Sequence, residues 1–246
     1  MVQGRLTEIA IDFKLTGAFD TRVKRPGSFL YTVRISLSAS AEAVTGSVIF
    51  LFHLFCKDLD VWVRFIPDDK PDAEKKWTVD KVWSVRNGVI RCDGKPNGYI
   101  RTVESYANYK LHLEWRWPDK PTNSGVLLHR TGIDRVWPKC VQAQLMHENA
   151  GDFWLLNHST IKVDGKQIGP QDSANAKKKN PSNEKPVGEW NFYDIVCDSE
   201  TVTLFVNGLL QNKGTDANPS HGPICLQSEG SPIEFRNIYL EPIPKK

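Results

Sequence analysis

Short runs in which apolar residues recur at every second position fill the chain from Ser47 onward. The clearest are 109–117 and 201–206, and no apolar stripe with helical spacing extends beyond two turns. Successive side chains of a β-strand point to opposite faces, so this spacing predicts half-buried strands. Asn207-Gly208 follows the second run directly and is a hairpin turn signal. We therefore predict an all-β domain over 47–246, built from two antiparallel sheets packed face to face.

Composition excludes several classes of function. The 246 residues carry 32 Lys and Arg against 29 Asp and Glu, a net charge of only +3, which does not favour a nucleic-acid partner. No run of eighteen apolar residues occurs, so we predict no transmembrane helix and no membrane partner. Eight Trp residues are many for this length. Most of them would pack in a core, but solvent-facing aromatic side chains are also typical of sugar binding.

Five cysteines are spread through the chain without any Cys-x-x-Cys pair, which argues against a structural zinc site. Each lies in or beside an apolar run, where a thiol behaves as a small hydrophobic group. We predict buried, unpaired thiols, with one disulfide as the alternative. The cysteines are Cys56, Cys92, Cys140, Cys197 and Cys225.

The first 46 residues lack a clean period of either kind. A basic cluster at 22–25 precedes an apolar stretch and then Ala39-Ser40-Ala41, which is the plan of a secretory signal peptide. Arg34 interrupts the apolar stretch, and about twenty residues precede the cluster. We predict an N-terminal extension over 1–46, a degenerate signal region, and hence a periplasmic or secreted protein. A loosely ordered extension of a cytoplasmic protein is the alternative.

Long polar side chains recur two positions apart in three of the predicted strands. The pairs are Glu114 with Arg116, Gln142 with Gln144, and Glu234 with Arg236. Residues two apart share a face, so each pair lies opposite its strand's apolar set. We predict that the two pairs at 114–116 and 142–144, together with Arg236, project into one concave cleft. A solvent-exposed sheet face with cross-strand ion pairs remains the alternative.

Several segments, taken in their order along the chain, resemble those of one known family. They are 54–62, 83–90, Glu114-Trp115-Arg116, Asn123-Ser124-Gly125-Val126, Trp137-Pro138-Lys139, Gln142-Ala143-Gln144-Leu145, Gly151-Asp152-Phe153, Glu189-Trp190-Asn191, Val206-Asn207-Gly208 and 226–238. From about Leu54 to Pro242 the chain resembles the 3-keto-disaccharide hydrolase domain family of bacterial proteins. The resemblance implies a concanavalin A-like, laminin-G-like β-sandwich (jelly roll) and a carbohydrate substrate.

Three positions depart from the family's pattern. Val61 stands where the family usually has Gly, and Trp77-Thr78-Val79 indicates a small insertion. The family's Glu-x-Gln reads Gln142-Ala143-Gln144 here. An amide cannot exchange a proton near neutral pH, so an acid–base role at position 142 would be lost.

The resemblance implies cleavage of 3-keto-glycosides by removal of the C2 proton, elimination at C1 and hydration. This chemistry needs a base, a donor to the enolate oxygen and an acid near the leaving oxygen. The catalytic candidates are Glu114 and Glu229 as base or acid, Arg116 or Arg236 as the donor, and His129 or His147 as alternative bases. The candidates for substrate binding are Asn123, Gln142, Gln144, His147 and Arg236. No His-x-His or His-x-x-x-His spacing supports a metal, so we predict no cofactor, with a divalent metal on these carboxylates and histidines as the alternative.

Two other functions remain open at this point. A non-catalytic carbohydrate-binding module would keep the sandwich and lose the acid–base position. A conventional glycoside hydrolase would need paired carboxylates on one strand face, and no Glu-x-Asp-x-Glu strand occurs.

Overall fold

A computed structural model of the protein describes residues 52–53, 62–65 and 79–244. The predicted N-terminal extension, the signal-like segment and Cys56 lie outside these residues. Strands dominate the described part, which also has one short helix, α1 (Val79–Val82). None of its helical structure has the length and apolar character that crossing a bilayer requires.

Seventeen strands lie within the described residues. In chain order they are β1 (Phe52–His53), β2 (Trp62–Phe65), β3 (Trp83–Arg86), β4 (Val89–Cys92), β5 (Gly98–Thr102), β6 (Tyr109–Arg116), β7 (Gly125–Thr131), β8 (Lys139–Gln144), β9 (Phe153–Leu156), β10 (Thr160–Val163), β11 (Lys166–Ile168), β12 (Ser173–Ala176), β13 (Asn191–Asp198), β14 (Thr201–Val206), β15 (Leu209–Asn218), β16 (Cys225–Ser228) and β17 (Ile233–Pro242).

The described strands form two antiparallel sheets. The larger sheet has the order β11-β10-β15-β14-β13-β6-β17-β4-β3, with β1 also paired to β17. The smaller sheet has the order β12-β9-β8-β7-β16-β5-β2. The predicted all-β class and antiparallel sandwich are confirmed. The predicted hairpin is also present, since Asn207 and Gly208 join β14 to β15 with φ of 47° and 80°, the left-handed pair that a type I′ turn requires.

One hydrophobic core lies between the two sheets. Leu113 and Trp115 of β6 reach it from the larger sheet, and Val141 and Ala143 of β8 reach it from the smaller one. All four side chains are fully buried, as the alternation in the sequence predicted. The outer face of each sheet therefore carries the intervening residues, and the polar pairs belong to these outer faces.

The four described cysteines, Cys92, Cys140, Cys197 and Cys225, are buried free thiols, as predicted. Burial raises the pKa of Cys92 to about 11 and that of Cys197 to about 12. Thiols with such pKa values are protonated at neutral pH, so these side chains act as packing groups rather than nucleophiles.

Candidate active site

A cavity of about 770 Å³ opens on the outer face of the smaller sheet. Its size is within the range of small-molecule sites. The residues that line it come from β8, β9 and β12, from the loops beside these strands, and from the chain just before β7 and just after β16. They are Asn123, Arg135, Val136, Trp137, Gln142, Gln144, Met146, Trp154, Leu156, Asn157, Asp172, Ser173 and Glu229. Four of the predicted site residues, Asn123, Gln142, Gln144 and Glu229, are therefore brought together.

Strand register arranges these four side chains in successive rows. Asn123 pairs with Glu229 through a backbone bridge just beyond the ends of β7 and β16. The next row holds Gln144, which pairs with Gly125. The following row holds Gln142, which lies opposite Trp154. The polar groups thus form one end of a cavity that continues along β8.

Backbone amides fix the orientation of the two glutamine side chains. Gln144 Oε1 accepts hydrogen bonds from the backbone N–H groups of Leu145 and Met146, at 3.0 and 3.2 Å. Gln142 Nε2 donates to the same oxygen at 3.0 Å and to Gln227 Oε1 at 3.4 Å. In the described part of the chain, Gln142 Oε1 and Gln144 Nε2 have no hydrogen-bond partner. The site therefore offers a ligand one amide acceptor and one amide donor of fixed identity.

Glu229 is the carboxyl group at this end of the cavity. Burial raises its pKa above the ordinary range, while a hydrogen bond from the Asn123 side chain opposes part of that shift. Asn123 Oδ1 is buried and has no partner among the described residues. The other acidic residue of the lining, Asp172, has a side chain that is 91% exposed. Glu229 is therefore the carboxyl of the lining whose pKa burial raises, which makes it the candidate acid or base of the cavity.

The prediction of one cleft containing Glu114, Arg116 and Arg236 is wrong. These residues lie on β6 and β17, on the outer face of the larger sheet. There Arg236 Nε is 2.7 Å from Glu114 Oε2, and both guanidinium groups stack on the ring of Trp190, at 4.6 Å for Arg116 and 4.0 Å for Arg236. Period-two spacing assigns a side chain to a face of its strand, but not to one of two sheets.

The Glu114 carboxylate belongs to this surface network. Partial burial alone would raise its pKa, but hydrogen bonds from Asn237 and Arg236 outweigh that effect and lower it. Arg116 is likewise paired, with Glu234 Oε2 at 2.7 Å. The alternative of an exposed sheet face with cross-strand ion pairs describes β6 and β17 correctly.

Neither predicted histidine lines the cavity. A bulge in β7 gives His129 a φ of 56° and turns its ring inward, where Nε2 lies 3.1 Å from the Tyr109 hydroxyl. Burial lowers the pKa of His129 to about 4. His147 follows Met146 and places Nδ1 3.3 Å from Glu184 Oε2. The His129 ring therefore packs in the interior, and the His147 ring anchors the loop that carries Glu184.

Sequence reasoning missed the aromatic part of the lining, which is Trp137 and Trp154. The high tryptophan count and the Trp137-Pro138-Lys139 segment were the signals that could have identified it. No group of three or more His, Cys, Asp or Glu side chains able to hold a metal ion occurs within the described ranges.

Residues 54–241 match the family model of the 3-keto-alpha-glucoside-1,2-lyase-like domain. The chain belongs to this family. The resemblance predicted from the sequence segments is confirmed, and the name assigns the chain to a carbohydrate-acting family. No curated protein is significantly similar to this 3-keto-alpha-glucoside-1,2-lyase-like chain in sequence.

Solved structures share the fold of this 3-keto-alpha-glucoside-1,2-lyase-like domain. A glycosyl hydrolase-like protein of Parabacteroides distasonis is 20% identical, with a TM-score of 0.54 over 76% of this chain and 91% of that one. A second from the same organism is 24% identical, with a TM-score of 0.53 over 77% and 98%. The κ-carrageenase of Pseudoalteromonas carrageenovora, solved with an oligosaccharide, is 10% identical, with a TM-score of 0.50 over 81% and 97%. At these identities the likeness concerns the fold alone.

The side chains of Gln144, Gln142 and Gln227 form a hydrogen-bonded series that we call the amide chain. It predicts the effect of restoring the family's glutamate at position 142. In Gln142→Glu, a carboxylate oxygen would face Gln144 Oε1, which cannot turn away because Leu145 N and Met146 N hold it. Two facing acceptors repel, so the new carboxyl would be displaced or protonated rather than act as a base. For the 3-keto-glucoside cleavage that the family resemblance implies, we expect kcat to rise by less than about tenfold, which is about 1.4 kcal/mol of barrier.

The measurement compares kcat of Gln142→Glu with that of the wild type, after thermal unfolding has shown that both are folded. Gln142→Met keeps a similar volume without adding charge and is the matched control. A gain of a hundredfold on restoring Glu would contradict this expectation. It would identify position 142 as a missing acid–base group and favour the binding-module alternative for the wild type.

Proposed function

We propose that the protein cleaves 3-keto-glycosides by elimination and hydration, with Glu229 as the group that removes the C2 proton. The observation that carries the proposal is the position of Glu229, a partly buried carboxyl with a raised pKa, at the amide-lined end of the cavity. Family membership supports the substrate class, since the family is named for a lyase-like reaction on a 3-keto-α-glucoside.

The ketone at C3 is what makes a single carboxylate sufficient. It acidifies the neighbouring C2–H bond, and Glu229 takes that proton while the electron pair forms an enolate on the C3 oxygen. The enolate then re-forms the ketone and expels the C1 oxygen, which takes the proton from Glu229 and leaves as the alcohol, so that the carboxylate is regenerated. Water adds to the C1=C2 double bond, with its hydroxyl at C1 and a proton at C2, so the net reaction is hydrolysis.

The fixed amides suit the other groups that this reaction requires. Gln144 Nε2 is a donor for the oxygen that carries negative charge in the enolate, and its position is set before substrate binds. Gln142 Oε1 is an acceptor for a sugar hydroxyl, and the Asn123 side chain holds the Glu229 carboxyl. Arg116 and Arg236, which were predicted as enolate donors, are on the other sheet and take no part.

The test compares a 3-keto-glucoside with the same glucoside bearing an ordinary C3 hydroxyl. We expect release of the alcohol from the ketone only, with transient ultraviolet absorbance from the conjugated enone when water addition is slow. We also expect exchange of the C2 hydrogen in D₂O. Cleavage of the unoxidised glucoside at a similar rate would overturn the proposal, because that reaction does not pass through an enolate.

A further inference from the structure

The cavity extends well beyond the amide-lined end that holds Glu229. Gln144 and Cys140 are four residues apart on β8, and Cys140 pairs with Leu156 on β9. At about 3.3 Å per residue, the lining therefore continues for about 13 Å past Gln144. We call the part formed by Trp137, Leu156 and Ser173 the distal end of the cavity. A single sugar ring seated at Glu229 would leave this end vacant.

An exposed tryptophan dominates the distal end. Trp137 is 40% exposed, although most large apolar side chains in the described part of the chain are buried. Removing apolar surface from water stabilises a protein or complex by about 25 cal/mol for each Å². The exposed part of the Trp137 ring does not contribute this free energy. A ring stacked on Trp137 would recover that free energy.

A set of polar contacts holds the loop that carries Trp137. Asp134 Oδ1 accepts a hydrogen bond from the Tyr99 hydroxyl at 2.6 Å and forms an ion pair with Arg130 Nη2 at 2.7 Å. Arg101 Nε lies 3.8 Å from the same oxygen. Tyr99 and Arg101 belong to β5 and Arg130 to β7, so Asp134 ties the loop to two strands of the smaller sheet. The loop is thereby fixed before a ligand binds, which reduces the entropy that binding must remove.

We propose that the distal end is the leaving-group subsite and that Trp137 selects leaving groups containing a ring with a flat C–H or aromatic face. This inference rests on the proposed function, because it assumes that Glu229 acts on the ketone ring at the other end. The leaving group is joined to C1, beside the C2 that Glu229 deprotonates, and the cavity continues from there towards Trp137. Trp137 is a specificity-determining residue, and Asp134 is a positioning residue that acts through the loop.

The experiment uses three substrates that share one ketone ring and differ in the leaving group: a 3-keto-disaccharide, 4-nitrophenyl 3-keto-glucoside and methyl 3-keto-glucoside. In Trp137→Ala we expect KM for the ring-bearing substrates to rise about tenfold, as for loss of a good aromatic contact, while KM for the methyl glycoside changes less than twofold. Ile133→Ala is the matched control, because Ile133 is an exposed side chain of the same loop outside the cavity lining.

Comparison of the substrates distinguishes a sugar ring from an aryl ring in the leaving group, and an Asp134 variant tests the role of that residue. A rise in KM for the disaccharide alone identifies a sugar ring, and a rise for the nitrophenyl glycoside alone identifies an aryl ring. Asp134→Asn should reproduce the pattern of Trp137→Ala with kcat for the methyl glycoside unchanged. A merely structural Asp134 would instead lower kcat for all three substrates in proportion to the unfolded fraction. Equal effects of Trp137→Ala on all three, or none, would overturn the inference.

Failure of the proposed function gives a different result. If the wild type cleaves none of the three substrates, the proposed function is wrong. Titration calorimetry with the 3-keto-disaccharide and the nitrophenyl glycoside then decides the inference by itself. Binding that weakens about tenfold in Trp137→Ala supports a ring subsite without catalysis, and binding that is absent or unaffected overturns it.

Discussion

Replacement of Glu229 by glutamine is expected to lower kcat on 3-keto-glucosides by about 10²–10⁴-fold, the usual contribution of a general base. Gln is nearly isosteric with Glu and can accept the same hydrogen bond from Asn123, so the site should keep its shape and its affinity. Steady-state kinetics of the purified variant measure kcat and KM separately. The expected pattern is a large fall in kcat with KM within a few-fold of the wild type.

Glu114→Gln is the matched control for this substitution. It removes one carboxylate from the larger sheet, on the surface network with Arg236, and should leave kcat unchanged. Glu114 was itself predicted as a catalytic acid or base, so the pair of variants compares the two sequence candidates directly. An equal fall in both variants, or a fall of less than about fivefold in Glu229→Gln, would argue against Glu229 as the base.

The raised pKa of Glu229 gives the same prediction a pH signature. A base acts when deprotonated, so kcat/KM should be constant above the pKa of Glu229 and fall as pH decreases through it. Because burial raises that pKa, this acidic limb should lie at higher pH than that of an ordinary exposed glutamate. In Glu229→Gln the limb should disappear from whatever activity remains.

The fold could be predicted from the sequence because alternation is a local signal. Leu113 and Trp115 reach the core, as do Val141 and Ala143, wherever in the sandwich their strands lie. Bulges limited the accuracy of this reasoning. Continuing the alternation of Ile233 and Phe235 along β17 would place Asn237 on the core side. A bulge instead gives Asn237 a φ of 50° and leaves it exposed, and Ile238 takes the buried position.

The site could be predicted only in part, because pairing between distant strands decides which polar faces meet. Gln142 and Gln144 are two apart on one strand, so their shared face followed from sequence. Asn123 and Glu229 are more than a hundred positions apart, and only the family resemblance suggested them together. The separation of Glu114 from the glutamines depends on β6 and β8 being in different sheets, which no local pattern encodes.

Gly125 gives the second large expectation, because its missing side chain makes room for the amide chain. A Cβ atom added there would lie 2.5 Å from Gln142 Nε2 and 2.7 Å from Gln142 Cδ. In Gly125→Ala the Gln142 side chain must therefore move, and its hydrogen bonds to Gln144 and Gln227 must break or rearrange. Displacement of a positioning group by about 1 Å can cost about a hundredfold in rate. We expect kcat/KM on a 3-keto-glucoside to fall by between about tenfold and a hundredfold.

Gly214→Ala is the control that distinguishes a disturbed cavity from a less stable fold. Gly214 is a strand glycine of the larger sheet, and a Cβ added there would collide with the Ile161 side chain. Both variants introduce one methyl group into a crowded position and should lower the melting temperature, but only Gly125→Ala disturbs the cavity. If the two variants lose kcat/KM equally, the loss follows from reduced stability and the fixed amides are not what the reaction needs. If Gly125→Ala alone loses activity at a temperature where both are folded, the orientation of Gln142 is part of how the site works, since the substitution leaves the identity of every polar group in the cavity unchanged.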